Sequence, residues 1–218
     1  MQKNRIVLID IGIANIYNLK LGFEKIGYDV SVSSSKNEIL DSTHLVLPGV
    51  GAFGEGMKRL GKKGLIDPII DCANNGKPIL GICLGMQLLF TSSEENGFYD
   101  GLNLVPGKVI HFKKPEPGNN FKIPHMNWNT IICSSSDSGN KSWENTILES
   151  VSSGAYMYFV HSLFTLPDLN ENVLATTNFG YDKFCSVVKS DNITGCQFHP
   201  ERSAENGLKI LENFVKQK

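Results

Sequence analysis

Through the first ninety residues, short apolar runs alternate with longer stretches whose apolar positions recur every three or four. Residues 5–10 form an apolar run closed by Asp10, the pattern of a buried strand. Asn15 can then cap a helix that carries Leu19, Phe23 and Ile26 on one side, with Gly27 as its stop. Residues 28–33 alternate as a more exposed strand does. A third strand, 44–47, runs directly into Pro48-Gly49-Val50-Gly51-Ala52-Phe53-Gly54. Helical segments fill about 55–75, and Gly76 ends them. This alternation predicts a parallel sheet of right-handed crossover units.

Lys77-Pro78-Ile79-Leu80-Gly81-Ile82-Cys83-Leu84-Gly85-Met86-Gln87-Leu88-Leu89-Phe90 starts as a fourth strand and continues as an amphipathic helix. At the junction Cys83 stands between Gly81 and Gly85, the pattern of a nucleophile elbow. The glycines let strand and helix approach where a Cβ would obstruct, and a helix N-terminus favours a thiolate. A free cysteine taken alone is more often plain core, so the rest of the chain has to decide.

The second half changes period. Strands are expected at 107–112, 127–132, 155–161, 173–177, 184–189 and 193–198, with a loop by composition at 113–120. Residues 134–142 are polar and read as an exposed excursion. A last helix, capped by Ser203, presents Leu208, Leu211 and Val215. No internal repeat or long linker divides the chain. The pattern predicts one α/β domain over 1–218, a mostly parallel central sheet with helices on both faces and a β-rich second half.

Composition narrows the function classes. The 218 residues carry a net charge of −1, with 41% hydrophobic and 20% charged side chains, so no basic footprint suggests nucleic acid or an anionic membrane. No apolar run approaches the roughly 20 residues of a membrane span. Met1–Arg5 leads into a strand without a small-residue cleavage site, so it does not read as a signal peptide. Five scattered cysteines without a C-x-x-C pair support neither a disulfide framework nor a zinc site. The chain reads as cytoplasmic.

A second chemical stretch is Thr194-Gly195-Cys196-Gln197-Phe198-His199-Pro200-Glu201. Pro200 holds His199 extended, and residues two apart in an extended segment face the same way, so His199 and Glu201 can share one neighbourhood. Taken alone they read as a strand-end histidine and a solvated acid. With Cys83 they make a Cys–His–Glu triad: thiol nucleophile, imidazole base, carboxylate fixing the tautomer. The oxyanion of such a reaction needs donors. Leu84 N–H follows the nucleophile, and the Gly49-Val50-Gly51 loop can supply the other from Val50 or Gly51. That loop also matches G-x-G-x-x-G (Gly49, Gly51, Gly54). A dinucleotide site wants an acid at the end of the next strand, where this chain has Gly81-Ile82-Cys83.

Together these residues resemble class I glutamine amidotransferases, which share Pro48-Gly49-Val50-Gly51, Gly81-Ile82-Cys83-Leu84-Gly85-Met86-Gln87 and His199-Pro200-Glu201 in this order and spacing. Within the class, Pro124-His125-Met126-Asn127-Trp128-Asn129, Tyr158-Phe159-Val160-His161-Ser162 and Gln197 to Ser203 are most similar to glutaminase subunits of imidazole glycerol phosphate synthases. The resemblance implies a flavodoxin-like fold without cofactor or metal. It also implies L-glutamine hydrolysis through a thioester on Cys83, and ammonia passed to a (β/α)8-barrel synthase subunit in a heterodimer. It implies that Gly49, Gln87, Glu95 and Ser162 bind glutamine, with Glu94 the near rival of Glu95, and that Asn15 and Trp128 lie toward the partner. Outside the resemblance, Gln87 and Glu95 read as exposed helix and loop polarity, and Trp128 equally as a core aromatic. His44, His111, His125 and His161 read as structural or peripheral.

Two segments depart from the family. Tyrosine-glycine-methionine-glycine-asparagine is usual where this chain has Ile11-Gly12-Ile13-Ala14-Asn15, and glycine is usual at Asn127. Both lie on the presumed partner side. Three readings beside the histidine-pathway subunit follow. One is a paralogue whose barrel aminates another acceptor, such as a nucleotide-linked sugar of surface polysaccharide synthesis. The others are a stand-alone cysteine hydrolase or peptidase, and a non-catalytic binding module.

Overall fold

The computed structural model describes residues 4–134 and 143–217, so residues 135–142 of the expected polar excursion lie outside the described residues. The first half runs β1 (Ile6–Ile9), α1 (Ile16–Lys25), β2 (Val30–Ser33), α2 (Lys36–Asp41), β3 (His44–Gly49), α3 (Phe53–Lys63), α4 (Ile66–Asn74), β4 (Ile79–Cys83) and α5 (Leu84–Leu88). Strands then dominate: β5 (Phe90–Ser93), β6 (Tyr99–Asp100), β7 (Val105–His111), β8 (His125–Thr130), β9 (Ile132–Cys133), β10 (Tyr156–His161) and β11 (Leu163–Pro167). β12 (Val173–Phe179), β13 (Asp182–Ser190), β14 (Ile193–Cys196) and α6 (Ala204–Val215) close the chain.

Five strands pair in parallel in the order β2-β1-β3-β4-β14. β13, β11 and β7 extend the sheet with antiparallel pairings, while β8 and β10 form a separate antiparallel ribbon. The two-residue period of a strand divides β1 between two cores. Ile6 and Leu8 pack with Leu19 and Phe23 of α1 and with Ile210 and Phe214 of α6. Val7 and Ile9 pack on the other face with Ile39, Leu60 and Ile69. The expected α/β architecture, a parallel central sheet covered on both faces, is therefore present.

Several local expectations are corrected. α5 is a helix of 5 residues, all buried, rather than an amphipathic helix reaching Phe90, which instead opens β5. Leu84, Met86, Leu88, Leu89 and Phe90 all enter one core, and an apolar run without a polar face carries no period to read. α2 carries no apolar period in the sequence, because only Ile39 of its 6 residues is buried. β11 begins immediately after Ser162, where the chain leaves the ribbon for the main sheet. Asn15 and Ser203 precede α1 and α6 without a side-chain cap bond. Among the described residues no helix is long and apolar enough to cross a membrane.

Candidate active site

Three adjacent parallel strands bring the site together at their carboxyl ends. The register sets Gly49 of β3 against Cys83 of β4, and Cys196 of β14 against Ile82. The loop after β3, the elbow after β4 and the segment from Gln197 to Glu201 after β14 therefore emerge side by side. This edge is where α/β sheets carry their sites.

Cys83 sits at φ +54°, ψ −112°, a strained conformation for a non-glycine residue. The glycines explain how the chain turns there. A Cβ on Gly85 would lie 1.6 Å from the Leu47 carbonyl oxygen, and one on Gly81 would lie 2.7 Å from the Met86 Cα. Helix and strands are thus locked together around the cysteine. Its sulfur is buried, 3.8 Å from the Val160 carbonyl oxygen and 3.9 Å from Gln197 Nε2.

His199 is extended, as Pro200 requires, and its N–H donates to the Tyr158 carbonyl. Its ring Nδ1 lies 2.9 Å from Glu201 Oε1, and both side chains are buried. Glu201 reaches this position from a 3-10 turn, Pro200–Arg202, and not from a continued strand. The expected pairing is present, but by a different local route. Ser203 braces the turn: its hydroxyl donates to the His199 carbonyl at 2.6 Å and accepts the Tyr158 N–H at 3.0 Å. Here lies the physical reason that Ser203 does not cap α6. Its hydroxyl is turned toward these two partners and away from the helix.

With Nδ1 donating to the carboxylate, His199 Nε2 is left buried without a partner in hydrogen-bonding geometry. Burial alone would lower the His199 pKa. The Cys83 and Glu201 side chains beside it outweigh burial and raise it to about 10. The neighbouring Cys196 is the opposite kind of cysteine. Burial, with Glu201 and Cys83 nearby, pushes its thiol up, so it stays protonated and inert.

Beside the sulfur opens a cavity of 410 Å³, ordinary for a small-molecule site, lined by Val50, Gly51, Cys83, Gln87, Glu95 and Ser162 among others. Gln87 is buried, not exposed helix polarity; its Nε2 donates to the Leu163 carbonyl at 3.2 Å and to Gln197 Oε1 at 3.1 Å. Glu95 and Glu94 separate cleanly. Glu95 lines the cavity and accepts the Phe53 N–H at the start of α3, whereas Glu94 is exposed and pairs with Lys108 at 3.4 Å. Gly49 is buried in β3 opposite Cys83 and outside the lining of this cavity, and a Cβ there would meet Leu84 at 3.1 Å.

Of the expected oxyanion donors, Leu84 N–H opens α5 and has no partner within that helix's ladder. Gly51 lines the cavity with φ +98°. Val50 lines the cavity, and at rest its N–H donates to the Ile13 carbonyl at 2.8 Å. Asn15 and Trp128 are both exposed, and Trp128 packs edge-on against Tyr158 instead of entering a core. Arg202 covers Tyr158, 4.6 Å from its ring centre.

Two residues of the site were not among those expected from sequence. Gln197 contacts both Cys83 and Gln87; a polar side chain two positions before His199 at the end of an apolar strand was its signal. His161 lines the cavity, so it is not peripheral. Among the described residues no group of three or more metal-ligating side chains is assembled. A separate cleft of 310 Å³, lined by Arg5, Asp29 and Glu38, lies at the amino ends of the strands and holds no cysteine or histidine.

A family profile for class-I glutamine amidotransferase matches residues 7–218. The imidazole glycerol phosphate synthase subunit HisH of Geobacter metallireducens is 43% identical over 212 residues, covering 96% of this chain and 97% of that protein. HisH of Methanosarcina barkeri is 44% identical over 213 residues, covering 97% and 98%. Among solved structures, PurLQS of Thermotoga maritima is similar with TM-score 0.67 at 19% identity, covering 99% of both chains. A glutamine amidotransferase structure gives TM-score 0.68 at 15% identity, covering 96% of this chain and 97% of that one, which speaks for the fold. With a profile match running from β1 to the end of the chain and such identity along nearly the whole length of its relatives, the chain belongs to the class-I glutamine amidotransferases.

Proposed function

We propose that this chain is the glutaminase subunit of an imidazole glycerol phosphate synthase, with Cys83, His199 and Glu201 as its triad. The observation that carries the chemistry is the strained elbow cysteine beside a buried His199–Glu201 pair 2.9 Å apart. L-Glutamine enters the 410 Å³ cavity with its amino-acid end toward Gln87, Glu95 and Ser162. His199 Nε2 takes the Cys83 thiol proton, the sulfur attacks the side-chain amide carbon, and the oxyanion is held by Leu84 N–H and a donor from the Val50–Gly51 loop. His199 gives its Nε2 proton to the departing nitrogen, so ammonia leaves and a thioester remains. The same nitrogen then takes a proton from water, which attacks the thioester and frees glutamate and Cys83. Glu201 keeps the imidazole in the required tautomer throughout.

Glutamine hydrolysis alone would waste ammonia, so the chain works with a (β/α)8-barrel partner that docks on the Asn15 and Trp128 side. The Val50 N–H engaged by Ile13 supports a peptide that turns toward the cavity when the partner is bound. The relatives named HisH favour the histidine pathway. The departures at Ile11–Ala14 and Asn127 support the second reading, a barrel acting on another acceptor, because Ile13 itself holds the oxyanion loop. Ammonia release from glutamine is expected to be low for the isolated chain, raised by the barrel with its ligand, and abolished by Cys83→Ala with the fold intact. Turnover surviving Cys83→Ala would dismiss the triad. Normal conversion of the histidine-pathway intermediate by the copurified barrel would dismiss the paralogue.

A further inference from the structure

β10 belongs to the two-stranded ribbon and β11 to the main sheet, so the chain changes sheet at Ser162, on the cavity wall. At this corner the ribbon pairs His125 with His161 across its two strands. Both are buried, and their facing ring nitrogens, His125 Nδ1 and His161 Nε2, are 3.0 Å apart. His125 is stacked between Phe159 and Phe179, with centroids 4.8 and 4.2 Å away, and Phe112 and Phe184 close the box around both rings.

The hydrogen bonds of this pair admit one proton arrangement. A carbonyl only accepts, so His161 Nδ1 carries the proton that it donates to Leu163 oxygen at 2.7 Å. In a neutral ring, His161 Nε2 must then accept, and His125 Nδ1–H donates to it. His125 Nε2 in turn accepts from Asn129 Nδ2 at 3.2 Å, and the second hydrogen of that amide goes to the Asn178 carbonyl at 2.9 Å. Asn129 thus fixes His125, His125 fixes His161, and His161 fixes the Leu163 carbonyl. The remaining lone pair of that carbonyl receives Gln87 Nε2, whose other hydrogen goes to Gln197 Oε1. With both amide hydrogens spent, the atom Gln87 has left to offer the cavity is its oxygen.

We propose that the His125–His161 pair is a positioning device for the substrate cavity: through the Leu163 carbonyl it sets the Gln87 amide with its oxygen facing the ligand. A ligand donor, such as the ammonium group of an amino acid, is what that oxygen selects. His161 lines the cavity wall with both ring nitrogens already engaged, so neither histidine offers a ring nitrogen to the ligand and both act through Leu163 and Gln87. The inference rests on the glutaminase reading, and its test separates the two.

The test measures alkylation of Cys83 in the full chain by two reagents, read by mass spectrometry of the Cys83 peptide. 6-Diazo-5-oxo-L-norleucine carries the amino-acid end of glutamine, and iodoacetamide does not. His125→Leu keeps the bulk but leaves His161 Nε2 without a donor, whereas His125→Asn places an amide N–H where Nδ1 was. His125→Leu is expected to slow the diazoketone about tenfold, the cost of a broken buried hydrogen-bond chain, and to leave iodoacetamide unchanged. His125→Asn is expected to restore the wild-type ratio of the two rates. An unchanged ratio in His125→Leu, a parallel loss with both reagents, or no rescue by His125→Asn overturns the device. A wild-type Cys83 that ignores the diazoketone while reacting with iodoacetamide overturns the glutaminase reading, and this inference with it.

Discussion

Buried histidines in this molecule live in two opposite environments within one neighbourhood. His199 faces a carboxylate and a sulfur, its Nε2 has no formed hydrogen bond, and its pKa is raised to about 10. His125 and His161 sit in an aromatic box with all four ring nitrogens engaged, and burial lowers their pKa values to about 4 and about 3. Desolvation acts on all three in the same direction. What reverses it for His199 is the hydrogen-bonding capacity of the Cys83 and Glu201 side chains facing the ring, with their electrostatics adding to it. The difference separates a histidine held ready to move a proton from a pair whose protons are immobilised. Of these two environments the first holds unsatisfied polar atoms: among the described residues, His199 Nε2 and Glu201 Oε2 are buried without partners, as are three strand hydroxyls, Thr165, Ser186 and Thr194. Such atoms cost free energy and persist where function requires them.

Removing the charge beside His199 is the strongest way to break this contrast. Glu201→Gln keeps the shape but takes away the anion, and the amide can turn its N–H toward Nδ1 and force the wrong tautomer. Glutaminase turnover is expected to fall about 10³- to 10⁴-fold, the scale of the analogous loss in a serine triad. The imidazole NMR titration of His199 should move down from about 10 in the variant. A variant that keeps both its rate and its titration would mean that Glu201 does not set the His199 protonation state.

The second break is in stability. His125 and His161 have folded pKa values below the ordinary 6.5. As pH falls below 6.5 the unfolded chain binds protons that the folded chain refuses, so stability present above 6.5 is lost as pH falls toward 4 and then 3. His199 behaves inversely: its contribution is complete below 6.5 and is lost as pH rises through about 10. Urea midpoints between pH 6.5 and 4 should therefore drop in the native protein. His125→Asn should flatten that slope by about 1.4 kcal/mol per pH unit, one proton's share. An unaltered slope would show His125 already protonated in the fold.

The two environments were not equally legible in the chain. The Cys83 elbow announced itself because close approach demands glycine on both sides, and Gly85 shows how little room the Leu47 carbonyl leaves. His199 and Glu201 were legible because Pro200 fixes the backbone between them, even though the turn that delivers Glu201 is 3-10 and not extended. The His125–His161 pair left no such mark. Its partners lie 36 positions apart, and its neutral state is imposed by Phe112, Phe159, Phe179 and Phe184 from four separate strands or strand ends. The sheet was readable where a short apolar run is closed by a polar residue, as in β1, or where apolar and polar residues alternate with period two, as in β2. It was unreadable across α5, where every residue is buried and periodicity vanishes.

Glu94 and Glu95 repeat the contrast on a smaller scale, because neighbouring identical side chains meet opposite surroundings. Glu94 lies on the surface with Lys108, an exposed pair of the kind worth little. Glu95 places one oxygen on the Phe53 N–H at the start of α3, where the helix dipole favours a negative charge, and its carboxylate lines the cavity beside Gln87. That helix end orients the carboxylate before any ligand arrives, so an ammonium group in the cavity meets a charge already in place. Glu95→Gln should raise KM for glutamine about tenfold with kcat nearly unchanged, because a charge-assisted contact made equally in ground and transition states is lost. Glu94→Gln should shift neither constant by more than about twofold, since solvent already screens its charge. Equal effects of the two substitutions would mean that long-range field, and not contact in the cavity, is what the ligand senses. A fall in kcat confined to Glu95→Gln would instead move that residue from binding the amino-acid end to shaping the oxyanion side, through α3 and the loop that precedes it.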